Sequence, residues 1–218
     1  MNKKIILGII ITIIGFYAIT TKFFGFADFA TEKSTTLLIS RIEFWIFLIL
    51  MIIYAKYIEK ENFLQITEQK KKWWFYPLAI VSLLLITTII MYLIVLIKHK
   101  IGIQNNTKIE ETLYTLLCEN KGLMLLTCIT AGVTEELLFR GYILSRIKIL
   151  FKSDVLAVII SALLFGLAHF AYGDFNRMFF PFIIGLIFGT YYVKYRNISV
   201  LIICHFIMDF YTLYSQCK

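Results

Sequence analysis

Seven apolar runs divide the chain, at about 5–23, 36–55, 73–97, 122–150, 154–172, 178–193 and 197–214. A helix needs roughly 20 apolar residues to cross the hydrocarbon core of a bilayer, so each run is a candidate membrane helix. The sixth is short for a crossing. The second contains Arg41 and Glu43 and is expected to begin late, whereas the third opens with WWFYP, an aromatic belt with a proline suited to a first helical turn. Between these two, YIEKENFLQITEQKKK (57–72) reads as an exposed loop or surface helix. In KHKIGIQNNTKIEETLYTLL (98–117), the apolar LYTLL is too short to cross and predicts an eighth, interfacial element. The pattern defines an all-α fold, a polytopic transmembrane helical bundle of about seven to eight helices.

Composition agrees. Sixty per cent of the 218 residues are hydrophobic and 17% are charged, against about a quarter charged in ordinary globular domains. The net charge of +8 does not point to nucleic acid, because the Lys and Arg residues lie mostly between apolar runs, where they set topology and meet anionic headgroups. With the N-terminus inside, twelve of these cations fall on the inner side and nine on the outer, which favours a cytoplasmic N-terminus for an integral multi-pass protein. The opening MNKKIILGIIITIIGFYAIT resembles a signal peptide but is followed by no A-x-A site, and reads as a retained first helix. The four cysteines show no C-x-x-C pattern, so neither a zinc knuckle nor a redox motif is indicated. Cys128 and Cys204 lie inside apolar runs and read as packing residues. Cys118 and Cys217 fall on one side of the membrane, which leaves a disulfide between them as the less favoured alternative.

One run breaks the apolar rule. TEELLFRG (134–141) places Glu135, Glu136 and Arg140 in a segment long enough to span. A charge at mid-membrane costs on the order of 2.5–3.5 kcal/mol on insertion scales, so pairing must offset it. Glu136 and Arg140 are four residues apart with the acid first, the favourable order for an ion pair on one helix face. Glu135 is rotated by roughly 100° and has no local partner. A solitary membrane carboxylate is a functional candidate whose partners must be found elsewhere.

Histidines supply them. His99 lies in the polar KHK stretch and reads as solvated, but His169 and His205 interrupt apolar runs and are expected to turn inward. Glu135 and His169 are equidistant from a turn at FKSDV (151–155), where Ser153 or Asp154 can cap the next helix. Each is then about 15 residues, roughly 22 Å, from the turn. On the last run His205 and Asp209 share a helix face. Gly132, Ala157, Ser161, Gly166 and the G-x-x-x-G of GLIFG (185–189) permit close helix approach. Two carboxylates and two imidazoles meeting in this way suit water activation for hydrolysis, metal binding or proton-coupled transport.

These motifs, E-E-x-x-x-R (Glu135, Glu136, Arg140), F-x-x-x-H (Phe165, His169) and H-x-x-x-D (His205, Asp209), occur in that order on the fourth, fifth and seventh runs. They resemble the CPBP family of intramembrane proteases, which includes type II CAAX prenyl endopeptidases and bacterial Abi and bacteriocin self-immunity proteins. The resemblance covers about residues 118–213 and divides the chain into a catalytic region, 118–218, and N-terminal helices and loops without an assigned motif, 1–117. It implies an intramembrane endopeptidase of a bacterial cell membrane, acting on membrane-associated peptides or proteins. Glu135 and His169 would activate water, His205 and Asp209 would stabilise the oxyanion or hold a metal, and Glu136 and Arg140 would organise the site. The last motif also occurs in the family with Asn, which can donate to an oxyanion where an ionised Asp209 cannot. A divalent metal such as zinc, held by Glu135, His169, His205 and Asp209, is therefore kept beside metal-free hydrolysis. The competing readings are a non-catalytic immunity or regulatory scaffold, which has no need of an unpaired Glu135, and a proton-coupled transporter.

Overall fold

The computed structural model describes residues 2–26, 33–101, 110–170 and 175–217, and these form helices with no strand among them. In chain order they are α1 (Asn2–Phe26), α2 (Lys33–Ile53), α3 (Phe75–Lys100), α4 (Glu110–Glu119), α5 (Lys121–Glu135), α6 (Ser145–Phe151), α7 (Asp154–His169), α8 (Phe175–Tyr195) and α9 (Ile198–Ser215). Wider π turns extend α2 over Tyr54–Glu59 and join α5 to α6 over Glu136–Leu144. Six stretches among the described residues are long and apolar enough to cross a membrane, the longest running without a break over Lys121–Phe151. The protein is an integral membrane protein.

Local signals set the helix boundaries. Asn120, Ser153 and Asn197 cap α5, α7 and α9 by accepting from Leu123 N, Leu156 N and Val200 N, each such cap contributing about 1 kcal/mol. Lys152 and Arg196 take left-handed backbone conformations at the turns that follow α6 and α8. Pro77 lies in the first turn of α3, as its position in WWFYP predicts.

Several expectations are corrected. The helix of the second run starts at Lys33 and its crossing stretch at Ser34, not late, since Arg41 and Glu43 sit within the helix. The sixth run is long and apolar enough for a full crossing, Arg177–Tyr195, while the fifth yields the shorter α7, Asp154–His169. Ala171 and Tyr172 of that run, together with Lys108 and Lys218 of the outer-side charge count, lie outside the described residues. The segment after α2 is not a free loop. Glu59 and Ile66 are buried, and Arg146, expected as an inner-surface charge, is 1% exposed. Arg146 donates to Glu59 Oε2 from Nη2 at 2.8 Å and to the carbonyls of Asn62 and Phe63, while Tyr142 donates to Glu59 Oε1 at 2.6 Å. A buried charge is tolerated when it is paired in this way. Finally, Cys118 and Cys217 form a disulfide across 99 residues, the pairing that the sequence left open but disfavoured, while Cys128 and Cys204 are free and buried as expected. The helix ends brought together on one side of the bundle supply the proximity that spacing alone does not show.

Small residues set the helix spacing. A Cβ on Gly185 would stand 2.8 Å from Ala162 Cα and one on Gly166 2.7 Å from Met178 O, so the G-x-x-x-G of α8 serves packing against α7 within the chain. At Gly132 a Cβ would meet Ile202 O at 3.0 Å and Phe206 N at 3.2 Å, which brings α5 against α9 beside His205. The N-terminal helices share the same core: the Phe16 ring lies 5.2 Å from Phe139 and 5.9 Å from His169.

Candidate active site

The continuous helix changes pitch between its two acids. Glu135 is the last residue of α5 and Glu136 the first of the π segment, and such insertions recur at functional sites. Side-chain hydroxyls support the segment's carbonyls: Ser161 donates to Phe139 O at 2.9 Å, and Ser145 lies 2.6 Å from Gly141 O and 2.8 Å from Tyr142 O.

Arg140 is fully enclosed. Its Nη1 donates to Glu136 Oε1 at 2.9 Å, the pair that the spacing predicts, and its guanidinium lies 4.3 Å from the Phe165 ring centre and 5.6 Å from that of Phe188. Aromatic faces favour a cation where water is excluded. Glu136 has a second partner that the helix-face argument did not supply: His205 Nδ1 lies 2.7 Å from the same Oε1. The acid thus joins α9 to the π segment.

His169 is oriented from its own helix. Its Nδ1 donates to Phe165 O at 2.8 Å and its ring stacks edge-on against Phe165 at 4.6 Å, which leaves Nε2 as the nitrogen directed at Glu135. Glu135 Oε2 stands 3.6 Å from His169 Nε2 and 3.8 Å from His205 Nε2, and His205 Nε2 is 3.5 Å from Asp209 Oδ2. The structure therefore brings Glu135, His169, His205 and Asp209 together, with Glu136, Arg140 and Phe165 directly behind them.

Among the described residues, Glu135 Oε2 is buried with no hydrogen-bond partner. Its separations from the imidazoles exceed direct hydrogen-bond length, so a water shared with either imidazole would sit beside the line joining the two groups. The side chains of Glu135, His169 and His205 are 11–15% exposed, but that of Asp209 is 36% exposed, so the site opens past Asp209. Among the described residues no group of three or more His, Cys, Asp or Glu side chains is placed to hold a metal ion. The zinc arrangement considered from the sequence is therefore not supported by the donor geometry. His99 is exposed at the end of α3, away from this cluster.

Arg41 is a further cation near the cluster, outside the three motifs. Trp45 Nε1 donates to Thr130 Oγ1 at 3.0 Å and fixes α2 against α5. Arg41 is one turn earlier, with its guanidinium 5.2 Å from the Phe44 ring, and its charge reaches both Glu135 and Asp209. As a cation inside an apolar run it was visible in the sequence, but no spacing connects α2 to the later motifs.

The fold and the cluster define a polytopic membrane protein with a buried carboxylate–imidazole centre supported by an ion pair. Residues 119–211 match the model of the type II CAAX prenyl endopeptidase Rce1-like family, the family group that the three motifs resemble. The match runs from the end of α4 through most of α9 and includes every candidate site residue named from the motifs; the family is one of peptidases. Comparisons with curated proteins and with solved structures gave no match.

Proposed function

We propose that the protein is an intramembrane endopeptidase that hydrolyses peptide bonds in membrane-associated peptides or proteins, using water activated by Glu135 and His169. The observation that carries this reading is the buried, unpartnered Glu135 Oε2 standing 3.6 and 3.8 Å from two imidazole nitrogens. Glu136, by contrast, is tied through Oε1 to both Arg140 and His205, although its Oε2 is likewise without a partner among the described residues.

The steps follow from the side chains. A water between Glu135 and His169 gives a proton to the Glu135 carboxylate while its oxygen attacks the substrate carbonyl carbon. His205, as an imidazolium, donates from Nδ1 to Glu136 and from Nε2 to the oxygen of the tetrahedral intermediate. Asp209 balances and orients that imidazolium and need not donate itself, which answers the question raised by Asp in place of Asn. As the C–N bond breaks, the proton held by Glu135 passes to the leaving amine. The products are a carboxylate and a free amine. Glu136 and Arg140 hold the cluster in register.

The substrate is expected to enter past Asp209, the most exposed of the four. A leader or signalling peptide of a bacterial membrane fits this reading, and bacteriocin defence is one such context. The test compares membrane-associated and secreted peptides from cells producing wild type or Glu135→Gln at matched levels. Specific products that vanish in the variant support the reading and reveal the cut site. Identical peptide profiles, with a phenotype that survives Glu135→Gln, would overturn it in favour of a scaffold.

A further inference from the structure

Away from the candidate active site, a groove of about 190 Å³ runs between α3 and α8, lined by Phe75, Leu78, Leu83, Ile86, Tyr191 and Tyr195 among others. From Phe75 to Ile86 it rises about 16 Å at 1.5 Å per residue, close to one leaflet of a hydrocarbon core about 30 Å thick. Its lower end is aromatic and basic. The rings of Phe75 and Tyr195 lie 5.8 Å apart, with Lys71 Nζ 5.7 Å from the first ring centre and Lys194 Nζ 5.2 Å from the second. Lys70, Lys72 and Arg196 are exposed nearby, and Lys71 also donates to Gln69. The neighbouring acid, Glu68, turns Oε2 to Ile198 N. On the groove wall the Tyr191 hydroxyl is buried with no hydrogen-bond partner among the described residues.

The side of the membrane follows from the disulfide. Cystines persist in oxidising compartments, so the Cys118–Cys217 end of the bundle faces away from the cytoplasm. The start of α3 and the α8–α9 turn lie at the opposite end, the side that the charge count also favours. There the leaflet is rich in anionic lipid, and each Lys near the surface contributes about 1 kcal/mol of attraction.

We propose that the groove binds one anionic glycerophospholipid of the cytoplasmic leaflet, an acyl chain lying along α3 and the phosphate held between Lys71 and Lys194. Charge complementarity selects this occupant. A zwitterionic lipid fills the apolar channel equally well but gains far less from two ammonium groups set at its mouth. The site is independent of the proposed hydrolysis.

The full-length protein tests this in phosphatidylcholine vesicles containing an equal minor fraction of brominated phosphatidylglycerol or brominated phosphatidylcholine. Trp73 and Trp74 are 83% and 50% exposed at the groove's lower end and report bromine contact by quenching; Trp45 sits against α5. The anionic lipid should quench at a fraction lower by up to about 25-fold, about fivefold for each of the two lysines by that attraction. K71Q/K194Q should remove the preference, whereas K98Q/K121Q, which removes the same charge near the other end, should retain it. Equal quenching of wild type by both lipids, or a preference that survives K71Q/K194Q, overturns the proposal. Loss of the preference on adding inorganic phosphate overturns it too, in favour of a simple anion site.

Discussion

Glu136 Oε1 is 2.7 Å from His205 Nδ1 and 2.9 Å from Arg140 Nη1, so one carboxylate oxygen ties α9 to the π segment and neutralises a buried guanidinium. Replacing Glu136 by Gln keeps the shape and removes the charge. Arg140 is then buried without compensation, and breaking such a pair costs about 3–5 kcal/mol. Thermal unfolding in detergent should fall sharply for E136Q, and the second change in E136Q/R140M should restore part of the loss.

Glu135→Gln is expected to behave in the opposite way. Glu135 makes no direct hydrogen bond through Oε2, so the melting temperature should stay near that of wild type. Cleavage of membrane peptides should drop by roughly 10²–10⁴-fold, the usual contribution of a positioned base. Stability and activity measured on one preparation separate this residue from its neighbour.

In the proposed mechanism Asp209, 3.5 Å from His205, acts through that imidazole and not as a donor. Asp209→Asn preserves size and polarity and should keep cleavage within about tenfold, whereas His205→Ala should lose it by the 10²–10³-fold typical of a missing oxyanion donor. Equal and complete loss in both variants would show that the Asp209 charge itself is required.

The Cys118–Cys217 bond closes a loop of about a hundred residues, for which chain entropy gives about 4–5 kcal/mol. Cys118→Ser should lower the melting temperature, and reductant should do the same to wild type without further effect on the variant. In intact cells a membrane-impermeant maleimide should label these cysteines only after reduction. Labelling that requires a permeant reagent would reverse the topology.

Glu59 and Arg146 pair at 2.8 Å, holding the segment after α2 against the helix that carries the site. Arg146→Met leaves Glu59 buried and unpaired and should destabilise by about 3–5 kcal/mol, measurable as a shift in the unfolding midpoint.

The sequence by itself determined the class of fold, because a bilayer admits long apolar helices and little else, and their lengths are countable along the chain. It also gave the Glu136–Arg140 pair and the shared face of His205 and Asp209, since helical spacing is a local property. Equal distance from the Ser153-capped turn was enough to set Glu135 and His169 at one depth. What tertiary structure decided lies between helices. The contact of His205 with Glu136, the approach of Arg41 from α2 and the Glu59–Arg146 pair join residues 69 or more positions apart. Periodicity carries no information at that range. The disulfide was hidden for the same reason: two distant cysteines become partners only when helix packing brings α4 beside the end of α9. The lengths of α7 and α8 were misjudged because hydropathy measures how apolar a run is, while capping and the path of the chain decide where a helix stops.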